Sequence, residues 1–363
     1  MRLPDFQATS DVYRLPPHHG QALSDYAIRH HDAWHGEYKE RMRSDDPAFV
    51  LGLDIGGTSS RALVCDLSGQ VIGTGAASGG NPNSHPPDRA AAQVAEAART
   101  ALAGVDPAAV RGGVLGMAGA SKLADPDVAA LFQRAWSELG LGCPMRVIGD
   151  CEVAFAAGTA ESGGTVVIAG TGAVAARITD HRLAATAGGH GWLLGDEGSA
   201  FWLGREAVRT ALRGLDRREE RGELVTAVFA ELAGDAADPR GALITAVNAK
   251  PPIKLAELAP LVTTAARNGD KAAIDLVERA ADLLADTAAI TREPGETTPI
   301  VLAGGLVAPG NPVGDALRAR LAERFPVEPL TAGPGAAGAA WLAAVDLVDP
   351  AELPALHSHL LGE

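Results

Sequence analysis

The segment DIGGTSSR, residues 54–61, combines a carboxylate, two adjacent glycines and three hydroxyl groups. Adjacent glycines let the backbone approach a ligand closely and turn its N–H groups toward an anion. Asp54 can hold Mg²⁺ through water, because Mg²⁺ prefers oxygen ligands and keeps part of its hydration shell. The segment therefore predicts a phosphate cradle, with an ordinary glycine hairpin as the alternative.

A second turn of this kind, AGTGA at residues 169–173, lies in a possible repeat of the first. Residues 166–180 repeat the layout of residues 50–66: an apolar run, a Gly/Thr turn, a second run carrying Arg, and an Asp at its end. A duplicated domain is the simplest explanation, although two hairpins can resemble each other by chance. Two such turns facing each other across a cleft predict two phosphate cradles and a nucleotide triphosphate.

Asp150 ends the apolar run RVIGD and precedes a predicted helix, CEVAFAAGT. A carboxylate at the carboxyl end of a strand faces the crevice where ligands of open α/β sheets bind. There it could accept a proton from an attacking hydroxyl. A helix N-cap is the alternative interpretation of Asp150, and the two roles are compatible.

The glycine-rich stretch GGHGWLLGDEGSAFWLGREAV, residues 188–208, offers polar groups beside flat apolar faces. That combination is typical of a sugar pocket, in which Asp196 could grip two hydroxyls at once. As the alternative, Asp196 and Ser199 cap the following helix, while Trp192 and Trp202 fill the core.

A third paired-glycine segment, LAGGLV at residues 302–307, would let a flat ring lie against the backbone. The three turns together give the predicted nucleotide contacts. These are Gly56, Gly57, Thr58, Ser59, Gly170, Thr171, Gly172, Gly304 and Gly305.

These turns need strands to hold them, and the pattern supplies strands that alternate with helices. Strand-like runs cover residues 49–55, 59–67, 70–77, 110–119, 144–150, 166–180 and 299–307. Helices are predicted at residues 88–103 and 125–139, after residue 150, through most of 199–292, and within 333–345. Alternation of this kind predicts an α/β fold whose sheet is partly parallel and covered by helices.

Length and charge narrow the function. A chain of 363 residues exceeds the usual size of one core, and we expect an extension at 1–46 and two domains at 47–160 and 161–363. A formal net charge of −14 disfavours nucleic acid and anionic membranes as partners. Three cysteines without C-x-x-C spacing, and the lack of an export signal or apolar span, favour the cytoplasm.

The segments DIGGT, AGTG and AGG, each after a strand, resemble the phosphate-1, phosphate-2 and adenosine segments of the actin, Hsp70 and sugar kinase superfamily. Within it, NPNSH (residues 81–85), IGD (148–150), GTGA and GWLLGDEGSAFW (191–202) look like the N-acetylglucosamine kinases of the BadF/BadG/BcrA/BcrD ATPase group. The resemblance runs from about Phe49 to Val345.

This resemblance implies a duplicated actin-like ATPase (RNase H-like) fold, with two domains around a nucleotide and sugar cleft. It implies ATP and Mg²⁺ as cofactors, an amino sugar as substrate, and Asp150 as the base for the sugar's 6-hydroxyl. The implied sugar contacts are Asn81, Gly189, His190, Gly191 and Asp196. A homodimer is left open.

Departures from the family keep alternatives open. His190 stands where the animal enzymes have Trp, so glucosamine is a rival acceptor. A dehydratase-activator ATPase would need an iron–sulfur cluster, for which Cys143 and Cys151 lack a recognisable spacing. A sugar-sensing ROK repressor would need a helix-turn-helix, which residues 1–46 do not show.

Overall fold

The computed structural model describes residues 47–362, which form two five-stranded sheets with helices packed on them. The strands of the first sheet are β1 Phe49–Ile55, β2 Ser59–Asp66, β3 Val71–Ser78, β4 Val110–Met117 and β5 Met145–Ile148. Those of the second sheet are β6 Gly164–Ala169, β7 Ala173–Thr179, β8 Arg182–Gly188, β9 Ile300–Ala303 and β10 Leu330–Thr331.

The first sheet has the strand order β3-β2-β1-β4-β5. The apolar run of β1 is largely buried, as expected for a central strand, and it pairs antiparallel with β2 and parallel with β4. Because β5 is parallel to β4, the carboxyl ends of β1, β4 and β5 share one edge of the sheet. Asp54 and Asp150 are therefore both positioned at that edge.

The second sheet repeats this topology in the order β8-β7-β6-β9-β10. Its central strand β6 again pairs antiparallel with the next strand, β7, and parallel with a later one, β9. The α/β class and the duplicated fold predicted from the two matched hairpins are thus confirmed.

Helices connect and cover the strands. They are α1 Pro87–Ala101, α2 Pro126–Leu139, α3 Asp150–Ala156, α4 Gly191–Leu194, α5 Ala200–Arg217, α6 Glu223–Leu232, α7 Pro239–Asn248, α8 Ala259–Arg267, α9 Lys271–Ile290, α10 Pro312–Arg324, α11 Gly335–Ala344 and α12 Leu353–Leu361. Short 3₁₀ turns lie at Pro107–Ala109, Ala120–Ala124, Pro252–Leu258 and Gly305–Val307. In this described part of the chain, no helix is long and apolar enough to cross a membrane.

Local signals explain where α2 begins and ends. The Asp125 side chain accepts the N–H of Asp127, and Pro126 occupies the first turn, as the sequence predicts. The helix ends at Gly140 in the left-handed conformation. Such matched caps set where α2 begins and ends, while its buried face packs into the core of the first sheet.

The helix α11 follows the second sheet in the sequence but packs on the first sheet. It packs on β1 of the first sheet within a buried cluster that includes Val50, Val114 and Trp341. The predicted boundary near residue 160 falls between α3 and β6, yet α11 and α12 follow the second sheet in sequence. The division into domains at 47–160 and 161–363 stays a prediction.

Gly338 lets α11 approach α3 closely. A Cβ at this position would lie 2.5 Å from Val153 O and 2.6 Å from Ala157 N, both backbone atoms. We expect Gly338→Ala to lower the free energy of unfolding by about 1–3 kcal/mol, because the helices must move apart. Denaturant unfolding followed by circular dichroism measures this change.

Gly214→Ala on α5 is the matched control for that substitution. Its nearest neighbour would be Glu219 Oε2 at 4.0 Å, so a methyl group has room. We expect a gain of about 0.5–1 kcal/mol there, from the helix propensity of Ala. Equal stability of the Gly338→Ala variant and the unaltered protein would show that the contact between α3 and α11 is not tight.

Candidate active site

The first Gly/Thr turn closes directly after β1. The N–H of Gly56 donates to Ser59 O at 2.9 Å, and Thr58 is exposed at the tip. Ser60 is buried and its hydroxyl donates to Ser78 O at 2.8 Å. Of the three hydroxyls that the sequence offered as anion donors, Ser60 therefore serves the sheet, which leaves Thr58 and Ser59 as candidates.

The NPNSH loop folds against this turn. Asn81 is only 6% exposed, and its Oδ1 accepts the N–H of Asn83 at 2.8 Å. His85 Nε2 lies 2.7 Å from Gly57 O, and because a carbonyl only accepts, Nε2 donates. Sequence reasoning noted the loop but missed His85 as the side chain that fastens it to the first turn.

Asp54 and Asp150 lie close enough to interact electrostatically. Burial raises the pKa of the Asp54 carboxyl, the Asp150 carboxylate raises it further, and Arg61 opposes the change. The Asp54 side chain also rests against the start of α11, where a Cβ on Gly335 would overlap its carboxyl group. Two partly desolvated carboxylates beside each other favour a cation between them.

Asp150 is the first residue of α3, and Gly149 is the N-cap. The alternative interpretation of Asp150 as a helix N-cap is therefore wrong. Glu152 Oε2 accepts the N–H of Gly149 at 2.7 Å and fixes the turn in front of Asp150. Burial raises the pKa of the Asp150 carboxyl, while hydrogen bonds from backbone N–H groups and from the Cys151 thiol lower it.

The second Gly/Thr turn is tied to the beginning of α5. The N–H of Gly170 donates to Gly172 O at 3.0 Å. Ala200 N–H donates to Gly170 O at 2.9 Å, and Phe201 N–H donates to Thr171 O at 3.2 Å. The turn and the helix that follows the sugar-pocket segment thus form one hydrogen-bonded unit.

The side chain of Asp196 is hydrogen-bonded to the residue that follows the second turn. It is buried, has a positive φ of 55°, and its Oδ1 accepts the N–H of Ala173 at 3.2 Å. Burial raises the pKa of its carboxyl, whereas the Ala173 N–H and the nearby His190 lower it. Asp196 therefore connects the predicted sugar segment with the predicted phosphate turn.

The sequence left open that Asp196 and Ser199 cap the following helix and that Trp192 and Trp202 fill the core. This alternative is correct for Ser199 and Trp202 and wrong for the other two. Ser199 is the N-cap of α5 and accepts the N–H of Trp202 at 3.2 Å, and Trp202 is 3% exposed. Asp196 does not cap the helix, and Trp192 is 38% exposed. Gly189, His190 and Gly191 are exposed next to it.

The third turn lies beside the second. Gly304 has a φ of 101°, and a Cβ there would overlap Ala169 O at the end of β6. Since β9 runs parallel to β6, the LAGG and AGTG turns meet at one sheet edge. Gly305, which follows, has open space around it.

The predicted site residues thus form two groups, one on each sheet. Within residues 47–362, no hydrogen bond joins the Asn81 loop to residues 188–196. The same part of the chain holds no group of three or more His, Cys, Asp or Glu side chains placed to bind a metal. A Mg²⁺ ion would fit Asp54 as its protein ligand only together with water and phosphate oxygens, which is its usual coordination.

Two sheets of matched topology, with helices on their faces, form the fold that is also found in actin-like ATPases and ROK sugar kinases. The chain belongs to the BadF/BadG/BcrA/BcrD ATPase family, whose sequence profile matches residues 51–343. The resemblance stated from the sequence motifs is thereby confirmed.

The chain is similar in sequence or structure to several kinases of amino sugars. The chain is 26% identical over 293 residues to the N-acetyl-D-glucosamine kinase of Dictyostelium discoideum, covering 76% of this chain and 91% of that protein. It is 33% identical over 107 residues to an N-acetylmuramic acid/N-acetylglucosamine kinase of Clostridium acetobutylicum, covering 30% of this chain and only 34% of that protein. A solved structure from Chromobacterium violaceum, assigned as an N-acetylglucosamine kinase, is 26% identical with a TM-score of 0.63, covering 82% of this chain and 99% of that one.

Proposed function

We propose that this protein is an ATP-dependent amino-sugar kinase that phosphorylates the 6-hydroxyl of N-acetylglucosamine. The family and the relatives that resemble it over most of its length support a sugar kinase. The observation that carries the proposal is the position of Asp150, a half-buried carboxylate at the carboxyl edge of the first sheet, beside Asp54.

In this proposal the sugar binds between Asn81, Asp150 and residues 188–196. Asn81 is held rigidly by its own loop, and that loop is fastened to the first turn by His85. Asp196 is held on the second turn through Ala173. A sugar in contact with both groups would bridge the two sheets and draw them together.

ATP lies across the two Gly/Thr turns, with its adenosine toward Gly304 and Gly305. The contacts proposed on the turns are Gly56, Gly57, Thr58, Ser59, Gly170, Thr171 and Gly172. Asp54 holds the Mg²⁺ of Mg-ATP through water. When bound, this ion neutralises phosphate charge.

The reaction is an in-line transfer. The 6-hydroxyl oxygen forms the new bond to the γ-phosphorus, the bond from that phosphorus to the bridging oxygen of ADP breaks, and Asp150 accepts the hydroxyl proton. Catalysis comes chiefly from positioning the two substrates and stabilising charge. Asp150 is suited to take up the proton because its burial raises the pKa of its carboxyl.

Glucosamine is the second candidate acceptor, because His190 stands where the animal enzymes of the family have Trp. The ring is exposed and close enough to Asp196 to influence that carboxyl electrostatically. A free ammonium group on the sugar would be attracted by Asp196, whereas an acetamido group would need neutral contacts. The names of the relatives favour N-acetylglucosamine.

The deciding experiment measures ADP release with Mg-ATP and four sugars: N-acetylglucosamine, glucosamine, N-acetylmannosamine and glucose. We expect the highest kcat/KM with N-acetylglucosamine, and a product phosphorylated at position 6 by NMR. A higher kcat/KM with glucosamine would make glucosamine the acceptor in place of N-acetylglucosamine. The absence of any sugar-dependent turnover would refute the kinase proposal. We further propose a cytoplasmic location and a homodimer.

A further inference from the structure

We propose that His85 is a positioning residue for the nucleotide: by holding the carbonyl of Gly57, it aims the N–H of Thr58 at a phosphate. The inference rests on one part of the proposed function, the binding of ATP at the first Gly/Thr turn. None of the roles implied by the NPNSH motif falls on His85. Its hydrogen bond to the turn, and the geometry of the peptide that follows Gly57, supply one.

The peptide between Gly57 and Thr58 connects the histidine to the phosphate cradle. His85 Nε2 donates to Gly57 O at 2.7 Å. This peptide is trans, and in a trans peptide the C=O and N–H groups point in opposite directions. A carbonyl that is held toward the NPNSH loop therefore turns the N–H of Thr58 away from that loop.

The N–H of Thr58 is available to bind an anion. Within residues 47–362 no protein group accepts it, and Thr58 is exposed at the tip of the turn. The N–H of Gly56, by contrast, is used inside the turn, where it donates to Ser59 O. An exposed backbone donor without a protein acceptor, on a turn rich in glycine, suits a phosphate oxygen.

The contact between His85 and the turn is tightly packed. The N–H groups of Ser84 and His85 both donate to Asn81 O, at 3.0 and 3.1 Å, which closes the loop that carries the imidazole. A Cβ on Gly79, directly after β3, would overlap Gly57 O and lie 2.6 Å from His85 Nε2. A Cβ on Gly57 would itself lie 3.1 Å from Ser84 Oγ. Neither the imidazole nor the carbonyl therefore has much room to move away from the other.

Two substitutions separate the hydrogen bond from the bulk of the ring. His85→Leu removes the donor but fills much of the volume, and it should raise the Kd of Mg-AMP-PNP by about three- to tenfold. His85→Gln places an amide N–H near the position of Nε2 and should keep the Kd within about twofold of the unaltered protein. Isothermal titration calorimetry measures both values without any sugar, so the result does not depend on the acceptor.

Kinetics with the preferred sugar should show the same order. KM for ATP should rise in His85→Leu in step with the Kd, whereas kcat should fall less, because the N–H binds the phosphate before and during transfer alike. His359→Leu is the matched control, since His359 Nδ1 lies 3.0 Å from Ser68 O, beyond the other end of β2. Its Kd and KM should not change.

The glutamine variant decides between donation and shape. If His85→Gln binds the analogue as weakly as His85→Leu while both keep the melting temperature of the unaltered protein, the ring shape holds the turn and the inference is overturned. Equal Kd values in His85→Leu and the unaltered protein would also overturn it.

A magnetic resonance measurement observes the Thr58 amide itself. Isotope-labelled threonine gives its N–H signal, which is assigned by its loss in Thr58→Ser. Addition of Mg-ADP should shift this signal in the unaltered protein and in His85→Gln, and much less in His85→Leu. A signal that does not respond in the unaltered protein would overturn the inference even if the protein phosphorylates sugars. The expected pattern in a protein without sugar-dependent turnover would refute the proposed kinase and leave the role of His85 established.

Discussion

Asp150→Asn should lower kcat by about 100-fold or more while leaving KM for the sugar and for ATP little changed. The amide keeps the shape and position of the side chain at the start of α3, but it cannot accept the proton of the sugar hydroxyl. Steady-state kinetics of ADP release, with the sugar that the unaltered protein prefers, measures the effect. Near-normal turnover in a folded variant would show that another group takes the proton.

The same substitution should raise the melting temperature by about 2–4 °C at neutral pH. Burial raises the pKa of Asp150 in the folded protein above its value in the unfolded chain. A group shifted in this direction contributes stability below its unfolded pKa and loses it as the pH rises through its folded pKa. An asparagine never ionises, so the variant avoids that loss, and its advantage should shrink as the pH falls.

Asp66→Asn is the matched control for both measurements. The Asp66 carboxylate lies at the end of β2 and accepts N–H bonds from Ser68 and Gln70 at 2.9 Å each. Its replacement should leave kcat unchanged and slightly lower the melting temperature, because a neutral amide oxygen accepts these N–H bonds more weakly than a carboxylate does. A stabilising effect in both variants would mean that the gain at Asp150 reflects net charge rather than burial.

Most of the fold could be predicted from the sequence because its signals are local. Apolar runs of strand length end at Gly/Thr turns, and α2 is bounded by Asp125, Pro126 and Gly140. The place of α11 could not be predicted, because GAAGAAWLAA is apolar on all sides and shows no preferred face. Its packing on β1 depends on a strand almost 300 residues earlier in the chain.

The site divides in the same way. The type and order of the three turns and of Asp150 follow from spacing in the sequence, since each comes directly after a strand. The hydrogen bond of His85 with Gly57 and the burial of Ser60 depend on how a loop folds back across a sheet. Short-range patterns carry no record of such contacts, so a histidine and a serine in polar segments gave no usable signal.

Asp54→Asn should raise the Mg²⁺ concentration needed for half-maximal turnover and lower kcat/KM for ATP by about 10- to 100-fold. Asp54 is half-buried, and its carboxyl rests against Gly335 at the start of α11, near enough to Asp150 and Arg61 to interact with both electrostatically. Burial of a carboxylate in that setting costs stability, and a cation that arrives with the nucleotide offsets the cost. Titration of turnover with Mg²⁺ at fixed ATP measures the change.

The Asp150→Asn and Asp54→Asn variants should then differ in which kinetic quantity they change. Asp150→Asn acts on kcat at every Mg²⁺ concentration, because proton acceptance is lost, whereas Asp54→Asn should be partly rescued by high Mg²⁺. Asp66→Asn, on the same hairpin as Asp54, should not change the Mg²⁺ requirement. If Asp54→Asn also leaves that requirement unchanged, Asp54 does not hold the ion, and its position beside Asp150 serves the packing of α11 on β1 instead.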